Sequence, residues 1–197
     1  MTRSEQKRLA IIEAAKEEFI QNGFSAANMN NVSAAAEVSK RTLYRHFESK
    51  ELLFEEVLVD IQENIVRNVD YPFDENAPLE EQLRLVTLRE IDVMYNTYGI
   101  ALSRTIVMEF FRQPDLAKSI TQRLYRTRAV SAWFSKALAS GKLVADDEQT
   151  ITSVYVSVFQ GLLFWPQVLD ILPRPEAEEL EHKVSTIVTT IVRAFAP

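Results

Sequence analysis

Apolar residues recur at three- and four-residue steps along nearly the whole chain, and very little interrupts them. Only four glycines occur in 197 residues, so sites for tight turns are few and long helices joined by short connections are the expected outcome. No stretch alternates apolar and polar residues across a credible hairpin turn. The expected fold is therefore all-α, with about nine helices.

The first clear helix covers 5–22, where Ile12, Ala15 and Phe19 share a face; Asn22-Gly23 stops it and Phe24 anchors the return. Asn28 suits the cap of a short helix over 29–36, Val38 the buried member of a turn, and Ser39 the cap of a third helix over 40–47. Ser49 suits the cap of a fourth helix over 50–69, with Leu52, Leu53, Val57 and Ile61 facing inward. The proline-bearing acidic stretch 71–78 reads as a connection. Further helical patterns cover 79–97, 99–112, 115–140 and 147–170, and a last one follows Pro173 and Pro175 over 176–195. This gives a head over 1–50, a connecting helix over about 50–69, and a larger helical domain over 51–197.

Composition narrows the chemistry. There is no cysteine and only two histidines, His46 and His182, so disulfides, thiolate metal sites and a zinc site are not expected. No cofactor is expected either. Neither histidine has a nucleophile and an orienting acid placed to form a catalytic set, so an enzyme is not expected. The N-terminal residues mix charge into every turn, and no apolar run reaches the length of a membrane span, so a soluble cytoplasmic protein is expected. The net charge of −6 is unevenly spread: residues 1–50 hold eight basic and six acidic residues, the remainder fourteen and twenty-two. A basic end on an acidic chain hints at a nucleic-acid surface there.

The segment Val32 to Phe47 sharpens that hint. A short helix, a tight turn and a second short helix make a corner whose close approach is allowed by Ser33 and Ala36. Val32, Val38, Leu43 and Phe47 supply its core. The second helix is too short to be stable alone and depends on that packing. Its outer face carries Lys40, Arg41, Thr42, Tyr44, Arg45 and His46, all donors to phosphates or bases on a helix that a major groove admits. Lys50 and the amides at the start of the fourth helix offer a further phosphate grip.

The run from Gly23-Phe24 through Val38-Ser-Lys-Arg-Thr-Leu-Tyr-Arg-His-Phe-Glu-Ser-Lys-Glu-Leu-Leu53 resembles the DNA-binding domain of the TetR family of regulators. The resemblance covers about the first fifty-five residues; the rest loosely resembles the AcrR-like branch. It implies that Tyr44, His46 and Lys50 contact phosphates, that Lys40, Arg41 and Thr42 face the groove, and that Arg45 does either. Asn28 stands where a family threonine caps the second helix near a phosphate, and Ser39 belongs to the same surface. One position departs from the pattern: Glu37 replaces the glycine usual in the turn, and its carboxylate is expected to point into solvent.

In the larger domain, Tyr95, Tyr98, Arg104, Met108, Phe111, Arg128, Trp133, Phe159, Gln160 and Phe164 are candidates for lining a small-molecule site, because aromatics and isolated polar groups crowd otherwise apolar helices. Val154, Val158, Leu162 and Trp165 on one helix, and Val184, Ile187 and Ile191 on the last, are candidates for a dimer surface. The resemblance implies a homodimer in a bacterial cytoplasm. It would bind an inverted-repeat operator in double-stranded DNA, usually as a repressor, and a mainly apolar effector would release it. Two other readings stay open: a helical enzyme that carries such a corner, and a ligand-independent DNA-binding scaffold acting through a protein partner.

Overall fold

The structure is a computed structural model and describes residues 2–68, 70–115, 117–118 and 129–197; the side chains of residues 62, 65–68 and 98 lie outside that description. The described elements are all helical. They form two compact units, one of Met1–Ile65 with Ala101–Arg126 and one of Val66–Ile100 with Thr127–Pro197. The N-terminal unit thus runs well beyond residue 50, taking in most of the connecting helix.

In the N-terminal unit, α1 (Arg3–Ala26) begins earlier than its apolar pattern, because Thr2 and Glu5 form a reciprocal capping box. Its regular turns break at Gly23, whose φ of 70° suits a residue without Cβ. Asn28 caps α2 (Met29–Ala35), Ser39 caps α3 (Lys40–His46), and the Ser49 hydroxyl accepts the Leu52 N–H at the start of α4 (Lys50–Asn68). These local stop and start signals agree with those expected from the sequence.

The core of this unit is a row of α1 side chains, Ile11, Ile12, Ala15 and Phe19, closed by Phe24, Leu43, Leu53, Phe54 and Val57. Phe19, Phe24 and Phe54 meet with ring centroids 5.0–5.8 Å apart. Leu52 is a correction: it is 48% exposed, and Phe54 occupies the inward position on α4. Three consecutive apolar residues leave the rotation of a helix about its axis undecided, and the Phe19–Phe24 pair decides it.

In the second unit, α5 (Leu79–Asp92) runs into a π-helical turn, Val93–Tyr98, and then at Gly99 into α6 (Gly99–Arg112), which passes into the N-terminal unit. Next come α7 (Ala129–Ala139) and α8 (Glu148–Phe159), the latter capped by Asp147. A second π-helical turn, Gln160–Phe164, leads into the short α9 (Trp165–Val168). The last helix is α10 (Ala177–Phe195). The core here is an aromatic row, Phe73, Trp133, Phe134, Tyr155 and Phe159, with successive centroids 5.3–6.1 Å apart. Tyr155 donates its hydroxyl to Thr87 Oγ1 (3.2 Å), which in turn donates to the Leu83 carbonyl (2.8 Å), so this buried polar chain is satisfied.

The last helix corrects another expectation. Val184, Ile187 and Ile191 are wholly buried, so they cannot form a dimer surface. Packing against α5 and α8 takes Val184, Ile187, Val188 and Ile191 of α10, and the side left outside carries Ser185, Thr186 and Thr190. The candidates on α8 and the two short elements after it behave differently. Val154, Val158 and Leu162 are half-buried and Trp165 is 37% exposed, which leaves apolar area uncovered.

Candidate nucleic-acid interface

The corner between α2 and α3 is built from short-range signals. The Glu37 N–H reaches the Ala34 carbonyl (3.1 Å) and the Val38 N–H the Ser33 carbonyl (3.0 Å), which closes the turn. Glu37 closes it with a φ of 53°, the left-handed conformation that a glycine takes without strain. The turn thus keeps the geometry of a glycine turn while carrying a carboxylate, and Glu37 is exposed as expected. Ser39 then starts α3: its Oγ accepts the Thr42 N–H (3.1 Å) and lies 2.9 Å from the Thr42 hydroxyl.

Two residues anchor α3 from below, Leu43 and Phe47, both buried. With that face fixed, Lys40, Arg41, Tyr44 and Arg45 are exposed on the other, Tyr44 by 47%. Thr42 is half-buried, its hydroxyl engaged by Ser39. His46 is also half-buried, and its Nε2 is enclosed without a hydrogen-bond partner. Burial first, and then the positive charges of Arg45, Arg8 and Lys7, hold its pKa below the ordinary histidine value. Enclosure of Nε2 leaves Nδ1 as the ring nitrogen for an outside contact.

Lys50 is placed at the other end of the surface. Its ammonium donates to the carbonyls of Ser25 (3.1 Å) and Ala27 (3.3 Å) and lies 4.8 Å from the Phe24 ring centroid. Those carbonyls end α1 and have no helical partner, so the lysine completes the helix end. An ammonium has three donors, which leaves one for a phosphate. Lys50, Asn28, Met29, Asn30 and Tyr44, with Ala26 and Ala27, line an open groove of about 480 Å³. The Asn28 side chain caps α2 by accepting the Asn30 N–H (2.9 Å).

Several contributors were not legible as site residues. Arg8, on α1, lies over the Phe47 ring (5.5 Å) and pairs with Glu56 (2.5 Å), which brings another cation to the end of α3. Glu18, which looks like one more solvated acid in Lys16-Glu-Glu-Phe19, is in fact buried. The signal for it was available: position 18 continues the buried series Ile11 and Ala15.

The candidates for a small-molecule site are scattered. Trp133 and Phe159 belong to the aromatic row, with Gln160 and Phe164 half-buried in the π-helical turn that follows. Trp133 Nε1 and the Tyr95 hydroxyl are enclosed without partners among the described residues, and Arg174 stacks over the Tyr95 ring at 4.1 Å. Arg104, Met108 and Phe111 fall in the N-terminal unit; Arg104 is half-buried, while Met108 and Phe111 are 60% and 81% exposed. Arg128 and the Tyr98 side chain lie outside the described residues. Among the described residues no three His, Asp or Glu side chains could hold a metal, and no helix is long and apolar enough to cross a membrane.

Residues 11–57 match the tetR family of bacterial regulatory proteins, and residues 81–197 match the C-terminal domain of AefR-like transcriptional repressors. The second match gives the larger domain a specific relationship where the AcrR-like resemblance was loose. The chain is 26% identical over 187 residues to the HTH-type transcriptional regulator UidR of Escherichia coli K12, covering 93% of this chain and 89% of UidR. A TetR family regulator from Pseudomonas syringae superposes with a TM-score of 0.77 at 28% identity, covering 100% of this chain and 99% of that one. The flavonoid-responsive regulator FrrA superposes with a TM-score of 0.75 at 28% identity, covering 98% of each chain. With its exposed recognition helix on a core-anchored corner and both halves matched, the chain belongs to the TetR family and is a DNA-binding transcriptional regulator, not an enzyme.

Proposed function

We propose that the protein is a cytoplasmic repressor that binds an inverted-repeat operator as a homodimer and leaves it when a small, mainly apolar ligand enters the C-terminal unit. The observation that carries the DNA half is the two-sided character of α3. Leu43 and Phe47 fix one face, so Lys40, Arg41, Tyr44 and Arg45 are free to meet the duplex. Arg41 and Lys40 are best suited to base edges, because they stand at the exposed start of the helix. Tyr44, Asn28 and the remaining donor of Lys50 share one open groove, which suits a backbone phosphate. His46 joins them through Nδ1.

The dimer is assigned to the half-covered face that runs from Val154 and Val158 of α8 through Leu162 of the π-helical turn to Trp165 of α9, with the Ser185, Thr186 and Thr190 side of α10 as its polar complement. The ligand is assigned to the aromatic core around Trp133 and Phe159. Trp133 Nε1, a donor with no partner among the described residues, favours an apolar molecule bearing an acceptor oxygen. The flavonoid-responsive relative supports a planar aromatic effector.

The test is capture of genomic fragments by the purified protein, followed by release with a panel of flavonoids and other aromatic oxygen compounds. Capture of a discrete fragment and its release by one compound class supports the reading. Capture that no compound reverses, with no thermal shift across the panel, favours a scaffold that acts without ligand.

A further inference from the structure

The connector between α1 and α2 is held by two opposite charges, of which only the lysine belongs to the DNA surface. Lys50 takes its carbonyls. From the other side, Glu18 Oε1 accepts the Asn28 N–H at 2.8 Å, and both Glu18 oxygens lie within 3.3–3.4 Å of the Asn31 side-chain amide. Asn28 is the cap of α2, so its N–H lies outside the helical ladder and needs another acceptor. Glu18 stands on the buried face of α1 next to Phe19, where an apolar side chain would satisfy the core. A buried carboxylate is retained at a penalty unless its hydrogen bonds matter.

We propose that Glu18 is a positioning residue for DNA recognition. Its carboxylate fixes the backbone of Asn28, and through it the Asn28–Asn30 wall of the groove shared with Tyr44 and Lys50. This rests on the assignment of that groove to a phosphate. The charge-assisted N–H contact sets where the wall stands relative to α3, and an error of an ångström there breaks a phosphate hydrogen bond. Glu18 itself touches no DNA.

The test measures operator affinity, melting temperature and amide exchange of Asn28 for the wild type, E18Q, E18L and N28A. Glutamine keeps the acceptor oxygen and leucine keeps the volume without it. E18L is expected to bind about tenfold more weakly while folded, the range set by an unsatisfied N–H, and E18Q within about threefold of wild type. N28A keeps the backbone N–H that Glu18 holds, so the E18L/N28A double variant should lose less than the product of the two single losses, the Asn28 side chain being already misplaced in E18L. Should E18L not fold, E18D, one methylene short of Asn28, is expected to show the same loss. Wild-type affinity in the folded variant, or fully multiplying effects in the double variant, overturns the proposal. If the wild type selects no DNA, the regulator reading fails separately, and the Asn28 amide decides the contact. Faster exchange in E18L than in wild type upholds it, and equal exchange overturns it.

Discussion

The ammonium of Lys50 lies 4.8 Å from the centroid of the Phe24 ring, so the lysine that the family resemblance places on a phosphate also closes the end of α1. The two roles are separable in one variant. Lys50→Ala is expected to lower affinity for all duplexes and reduce the salt slope by about one. It should also destabilise the fold by roughly 1 kcal/mol, through the lost ring contact and two carbonyl hydrogen bonds. Binding titrations over salt and a denaturation curve check both. An unchanged salt slope removes the phosphate role and leaves the capping role standing.

Arg41→Ala should instead leave non-specific binding nearly intact and relax the preference at one position of each half-site, by about 1–3 kcal/mol of discrimination. Competition between the operator and single-base variants reads this directly. The exposure of Arg41 makes a folding effect small.

Glu37 holds a left-handed backbone at φ 53°. Glu37→Gly is expected to stabilise the protein by about 0.5–1 kcal/mol, the relief of strain being partly offset by the greater freedom of glycine in the unfolded chain. It should also raise DNA affinity slightly at low salt, because a carboxylate leaves the neighbourhood of the duplex. Chemical denaturation of the two proteins tests the first part.

His46 gives stability a pH dependence of known sign. Its folded pKa lies below the unfolded value, so the unfolded chain takes up the proton first as pH falls. The contribution of His46 is therefore complete above the unfolded pKa and is lost as pH falls from there through the lowered folded value. A His46→Gln variant should show a flatter loss of stability from neutral to mildly acidic pH, measured by melting temperature.

Charge on α8 and on α10 should act differently. Val158→Asp is expected to shift the proposed dimer toward monomer while leaving each subunit folded, because Val158 is only half-buried. Ile187→Asp should unfold the subunit, because an unpaired charge would enter a fully buried site. Sedimentation of both variants separates the outcomes.

Much of the fold was legible because helices announce themselves locally. Asn28, Ser39 and Ser49 stand at the helix starts expected of capping residues, and Gly23 breaks α1 where expected. What was not legible depends on contacts distant in sequence. The apolar stripe of α10 could face either its own core or a partner, and its burial against α5 and α8 is a tertiary fact. The π-helical turns at 93–98 and 160–164 shift the helical register, and the residues that accompany them, Gly99, Gly161 and Pro166, mark an interruption without specifying its kind. The basic face of α3 was legible because it needs only one helix and its buried side. The groove beside it was not, since it brings Asn28, Tyr44 and Lys50 together from three elements.

The most direct test of the central claim is selection of random duplex DNA by the purified protein at moderate salt. An inverted repeat is predicted, with half-sites centred about 34–36 Å apart or at a larger spacing set by the dimer, and Arg41→Ala should recover the same repeat with one position degenerate. Recovery of no enriched sequence, with weak binding that vanishes as salt rises, would contradict specific recognition by α3.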